Sequence, residues 1–402
     1  MIAGGANNSH LEEVVRERLS PTANFSEARI SLSRINSSPA VLQLPNKWKL
    51  QSKATGPAIA AQLAATWSAR SKSLVLQLGD DEAKDKAAET FIAQMYGIVA
   101  AMVADRVVGR DGERDVSQAI WRMCQERTML MNRGDFRSLV RGKSIPLICA
   151  DHFPLWRLQP LYYPSTLETR DPIRAVGDFE NLIRENLRVL GQEHRLAGID
   201  IGAIAVLVRE LFANTHHHAR TDIAGNMLRR SVRGVNFALR SVDPTNRSFS
   251  GGLTVLGEYY QSFASLRTAS QIPFAEISVI DSGPGLAARR CNKALTPNTS
   301  IEAEVALVLD CFKKESSSFK TMGHGWGLPR VMQILKSSGG FIKVRTGRLS
   351  LYRWFDPQRR NDEADLEEDV DFKDTEFDGG IEAHAPVTGA AITILVPLGL
   401  GN

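Results

Sequence analysis

Residues 201–220 read IGAIAVLVRELFANTHHHAR. The first half is apolar almost all round, which predicts a helix buried on most sides. Glu210, Asn214 and His218 then recur every four residues, a spacing that places them along one helix face. A carboxylate and a carboxamide on an otherwise buried helix are costly unless they are paired or hold something polar. Taken alone, the same residues also fit a helix that surfaces towards its C-terminal end.

Two further segments carry polar chemistry. Residues 275–286, AEISVIDSGPGL, alternate as a strand up to Asp281, and Ser282-Gly283-Pro284-Gly285 forces a turn directly after it. Asp281 therefore sits at the carboxyl end of a strand, where α/β sheets bind ligands. An ionised carboxylate only accepts hydrogen bonds, so it suits an exocyclic amine, and the glycines let backbone approach a flat ring. Residues 323–329, GHGWGLP, place Gly323, Gly325 and Gly327 ahead of a helix that Pro329 helps to start. A glycine loop leading into a helix N-terminus cradles phosphate. No G-x-x-x-x-G-K-[ST] is present, so it is not a P-loop.

The three segments, in this order, resemble the GHKL superfamily of ATP-binding proteins, which includes gyrase B subunits, MutL, histidine kinases and anti-sigma-factor serine kinases. Glu210-Leu211-x-x-Asn214-x-x-x-His218-Ala219 is similar to the N box, most closely that of the anti-sigma kinases. Asp281-Ser282-Gly283-Pro284-Gly285 resembles the first glycine box, and Gly323-x-Gly325-x-Gly327-Leu328 the second. The resemblance implies ATP and Mg²⁺ as cofactors, with Asn214 holding the metal and Glu210 as general base. It also implies that Asp281 reads the adenine amine, with Gly283 and Gly285 close to the base. Gly323, Gly325, Gly327 and Leu328 would line the phosphates, and residues 287–322 would form a lid carrying Lys320. Ala390, in the closing strand, stands where the family usually has threonine.

The fold class expected is α/β: a two-layer α/β sandwich with a mixed sheet over 173–402, preceded by an α/β domain. The boundaries read as a tail over 1–30, a domain of unassigned role over 31–155, a proline-bearing connector over 156–172 and the ATP-binding domain after it. Strands are expected at 40–44, 73–78, 145–150, 341–346, 349–355 and 390–396. Helices are expected at 56–69, 82–104, 115–131 and 172–190. Residues 226–247 carry five arginines and read as a basic helix face.

Composition bounds the rest. The 402 residues are 43% hydrophobic and 23% charged, which excludes wholesale disorder. The formal charge of +4 conceals an acidic stretch, 356–380, with 11 acidic and three basic residues, expected to be a solvated loop. Cys124, Cys149, Cys291 and Cys311 form no C-x-x-C pair. With no signal peptide and no long apolar run, a cytoplasmic protein without a membrane segment is expected. The leading function is Mg²⁺-dependent ATP hydrolysis coupled to lid closure and to a protein partner or homodimer. The alternatives are a protein kinase of the anti-sigma or histidine-kinase type, and an ATP-controlled binding module without turnover. Nucleic acid is a weaker candidate partner.

Overall fold

The computed structural model describes residues 15–79, 84–167, 171–191, 200–250, 252–266, 270–313, 327–359, 371–377 and 379–399. From the N-terminus run β1 (Arg16–Arg18), α1 (Phe25–Ile35), β2 (Val41–Leu44), α2 (Gly56–Arg70), β3 (Val75–Leu78), α3 (Lys84–Ile92), α4 (Met95–Val103) and β4 (Arg106–Val108). The four strands form a parallel sheet in sequence order. Such a sheet needs helical crossovers, and α1, α2 and the pair α3 and α4 supply them. Residues 15–30, expected to be tail, are structured: β1 pairs with β2, and α1 starts on a capping box between Asn24 and Glu27. The single helix expected over 82–104 is divided, because Gln94 takes an extended conformation and starts α4 anew. All nine residues of α4 are buried.

The chain continues through α5 (Ser117–Arg133), α6 (Phe136–Leu139), β5 (Ser144–Ala150), α7 (Val176–Val189), α8 (Ile201–His218), β6 (Val232–Val242), α9 (Thr254–Gln261) and β7 (Ile272–Asp281). It ends with α10 (Leu286–Cys291), α11 (Ile301–Asp310), α12 (Gly327–Ser338), β8 (Phe341–Gly347), β9 (Leu349–Trp354), β10 (Lys373–Asp374) and β11 (Val387–Pro397). Seven of these strands form a second sheet in the order β10-β9-β8-β11-β7-β6-β5. Every neighbouring pair in it is antiparallel, which corrects the mixed sheet expected. The reason is topological: β11 returns between β8 and β7 and runs against both.

Three other boundaries change. β5, grouped by sequence with the first domain, is the edge strand of the large sheet beside β6. The connector over 156–172 is not a free linker, since Leu158, Leu161 and Tyr162 are fully buried. The arginine-rich 226–247 stretch contains β6 instead of a basic helix; its Arg233 and Arg240 point inward. Within the acidic stretch, residues 360–370 lie outside the described residues, but Asp374 is buried in β10 and accepts from His384 Nε2 at 2.9 Å. That part is not a solvated loop.

Strand register gives the large sheet two unlike faces. Val235, Phe237, Ile277, Val279, Val344, Ile392 and Ile394 lie on one, under α8 and α12. Asn236, Arg240, Glu276, Ser278, Lys343, Arg345 and Thr393 lie on the other. Antiparallel sheets commonly leave such a face to water. Here the N-terminal unit covers it: α2 packs on β11 and β7, Gln62 Nε2 donates to Arg345 O at 3.0 Å, and Thr55 N donates to Glu276 Oε1 at 3.0 Å. Among the described residues no helix is long and apolar enough to cross a membrane.

Glu276 is fully buried, is ion-paired with Arg240 of the neighbouring strand, and accepts from the Thr55 amide of the N-terminal unit, so a buried ion pair within the sheet carries the contact between the units. Glu276→Ala strands the guanidinium and should cost about 3–5 kcal/mol in urea unfolding, much of it recovered when Arg240→Met is added. A loss confined to a few tenths of a kcal/mol would show that this contact does not hold the units together.

Candidate functional site

β7 delivers Asp281 to the end of the sheet's apolar face, and the turn after it folds back on the carboxylate. Asp281 Oδ1 accepts from Gly283 N at 2.8 Å and from Ala390 N at 3.3 Å. Among the described residues Oδ2 has no partner. Two glycines make this arrangement possible. A Cβ on Gly283 would lie 2.5 Å from Ala219 Cα, so the turn rests directly on the backbone after α8. Gly389 has φ +71°, and a Cβ there would lie 1.9 Å from Asp281 O. Burial pushes the Asp281 carboxyl up to about 6, against the opposing pull of the two amides.

Thr346, at the end of β8, locks the other side of the turn. Its hydroxyl accepts from Leu286 N at 3.0 Å and donates to Gly389 O at 3.1 Å. Sequence reading missed Thr346, because nothing local marks a threonine before a hairpin as a turn clamp. The closing strand meets Asp281 through the main-chain amide of Ala390, a contact that does not depend on the side chain there.

On α8, Glu210 and Asn214 lie one turn apart and both are half-buried. Arg209 Nη1 donates to Glu210 Oε1 at 3.0 Å, and Arg209 is itself held by Arg174 O at 3.0 Å. The Asn214 carboxamide has no hydrogen-bond partner among the described residues. The neighbouring histidines do not act together: His216 is buried and shares a hydrogen bond with Tyr162 OH at 3.2 Å. Burial first, then Arg233, pushes its pKa down to about 3, so it is neutral. Among the described residues no three His, Cys, Asp or Glu side chains cluster as a metal site.

A polar cluster lies beneath this corner and was not expected. Arg233, opposite Asp281 in register, donates from Nε to Tyr162 OH at 2.7 Å and from Nη1 to Asp151 Oδ1 at 2.8 Å. Arg220 takes the other Asp151 oxygen at 3.0 Å, and both arginines flank the Trp156 ring, at 4.6 Å and 5.3 Å. The cluster ties the C-terminal end of α8 to β5, β6 and the 156–162 segment. The available signal was the alternation Val235, Phe237, Leu239, which marks a strand and turns Arg233 to the same inward side.

Lys320, Gly323 and Gly325 lie outside the described residues. Gly327 and Leu328 open α12, which packs against α8 and β11. The helix that follows the glycine loop therefore lies beside the helix that bears Glu210 and Asn214. Residues 287–313 of the expected lid are largely helical. They are fastened to the β8–β9 turn, where Arg348 Nε donates to the buried Glu304 at 2.8 Å. Comparison with protein-family models, with characterised proteins and with solved structures finds no match to this chain.

The raised Asp281 pKa has a defined sign. The ionised form is disfavoured in the fold, so the penalty is absent below about pH 4 and complete above about pH 6. In Asp281→Asn the amide oxygen can still accept from Gly283 and Ala390, without a buried charge. Urea unfolding should find this variant more stable than the parent by about 1–3 kcal/mol at pH 8 and equal to it at pH 4. A variant less stable at pH 8 would contradict the assignment.

Proposed function

We propose that this chain is an ATP-binding protein of the GHKL type that hydrolyses ATP with Mg²⁺. The observation that carries the reading is Asp281: one oxygen is held by two backbone amides, and the other has no partner among the described residues. An adenine amine suits that oxygen as a donor. Three supports stand beside it: the half-buried Asn214, without a partner among the described residues, Glu210 one turn away, and α12 alongside α8.

In this reading the Asn214 carboxamide oxygen is the protein's ligand to Mg²⁺, a hard ion that commonly takes one or two protein oxygens and completes its shell with phosphate and water. The ion supplies neutralisation of phosphate charge when bound. Glu210 orients the attacking water through Oε2, while Arg209 fixes the carboxylate through Oε1. The backbone amides at the start of α12 favour anionic phosphate. Tyr162, His216 and Arg233 position α8 by anchoring its last turn.

One contact favours a second reading, an ATP-controlled binding module with little turnover. Arg209 already occupies one of the two oxygens that a general base offers to water.

Incubation of the full chain with γ-labelled ATP and Mg²⁺ separates the two. Under the hydrolysis reading, Glu210→Ala lowers phosphate release about 10²-fold or more and leaves ATP affinity within about threefold. Tight binding with no release in the parent chain would select the binding module. Asp281→Asn sets an amide donor against the adenine amine and should weaken ATP binding by about 10²-fold, although the same variant gains stability. Unchanged ATP affinity in Asp281→Asn would sink both readings.

A further inference from the structure

At the other end of β6, where the N-terminal unit meets the sheet, lies a cleft of about 390 Å³. Asp281 pairs with Arg233 near the start of β6, whereas Arg240, Ser241 and Val242 line this cleft. Eight residues of strand separate Arg233 from Ser241, roughly 25 Å. The cleft is therefore remote from Asp281.

Its walls come from both units: the loop carrying Lys47 and Trp48, the turn carrying Arg141 and Lys143, the end of β6, and Phe249 with Tyr260. The joint is held closed by Lys53 Nζ donating to Ser248 O at 2.8 Å. Lys47, Arg141 and Lys143 stand exposed at the rim. Arg240 lies in the floor, paired with Glu276. None of the residues lining the cleft is acidic, and among the described residues no carboxylate pairs with Lys47, Arg141 or Lys143. Arg141 donates to Val140 O at 2.8 Å, and Lys143 to the Ser241 hydroxyl at 3.3 Å, so these partners fix the side chains without cancelling their charge.

Three uncompensated cations around a concave site focus positive potential into it. Phosphate oxygens accept short charge-assisted bonds from such groups. The volume is in the range of small-ligand sites. We propose that this cleft binds a small phosphorylated ligand with two or more negative charges, its phosphates on Lys47, Arg141 and Lys143 and its remainder against Phe249 and Tyr260. Because the N-terminal loop forms one wall, the ligand would bridge the two units.

The inference stands apart from the ATP reading, and calorimetric titration with inorganic pyrophosphate at low salt tests it. Two double variants of the full chain are compared, Arg141→Ser/Lys143→Ser at the exposed rim and Asn214→Ala/Asp281→Asn at the distant site. Pyrophosphate should bind the parent saturably, weaken about tenfold or more in the rim variant, and stay within about twofold in the other. ATP–Mg²⁺ should show the reverse pattern. Pyrophosphate affinity unchanged in the rim variant, or no saturable binding to the parent, overturns the proposal. ATP–Mg²⁺ affinity indifferent to Asn214→Ala/Asp281→Asn would count against the ATP reading and leave the cleft result standing.

Discussion

The ion pair between Arg240 and Glu276 sets the constraint from which the architecture follows. A sheet face bearing Arg240, Glu276, Lys343 and Arg345 cannot be covered by an ordinary apolar helix surface without leaving charge unsatisfied. The Arg345 guanidinium is satisfied by the Gly347, Leu349 and Ala385 carbonyls of its own unit, and the N-terminal unit meets the rest of the face with polar atoms. The Thr55 amide meets Glu276, the Gln62 carboxamide meets Arg345 O, and Thr66 Oγ1 accepts from Thr388 N at 3.1 Å. The opposite face, free of such demands except at its end, receives α8 and α12 on aliphatic side chains. One continuous apolar core consequently runs through both units.

The candidate site forms where the apolar face ceases to be apolar. Along β7 the residues on that side are Ile277, Val279 and then Asp281, while β6 beside it changes from Phe237 and Val235 to Arg233. The two charged groups are handled differently. Arg233 is neutralised by Asp151 and hydrogen-bonded to Tyr162, with only Nη2 lacking a partner among the described residues, and serves to hold α8. Among the described residues, Asp281 has no cation paired with it and is satisfied on one oxygen only. That inequality separates a structural charge from one available to a ligand, and it arises from two glycines that bring backbone within reach.

Much of this was legible in the sequence because it depends on local pattern. The alternation before Asp281 and the turn after it specify the strand end, and four-residue spacing specifies the shared face of Glu210 and Asn214 on α8. The strands 341–346, 349–355 and 390–396 were legible for the same reason and appear as β8, β9 and β11. What was not legible depends on contacts between distant residues. Arg233 looks like one more arginine of a basic run until β6 pairs with β7 and turns it inward. Tyr162 looks like part of a proline-bearing linker until its hydroxyl finds Arg233 and His216. The antiparallel character of the sheet follows from β11 entering between β8 and β7, a choice that no single strand's sequence records. Asp374 belonged to an acidic run, and only its pairing in β10 and its contact with His384 show that it is buried.

The link between Ala390 and Asp281 has a consequence for how such a corner can change over time. The donor is a main-chain amide, present whatever side chain occupies position 390, provided it is not proline. At position 389 the requirement is reversed, since any Cβ would collide with the Asp281 carbonyl. The corner is thus specified by one carboxylate, the Thr346 hydroxyl and places where atoms must be missing. Substitution at position 390 can therefore erase that part of a motif's wording while the hydrogen-bonded geometry it once spelled out persists.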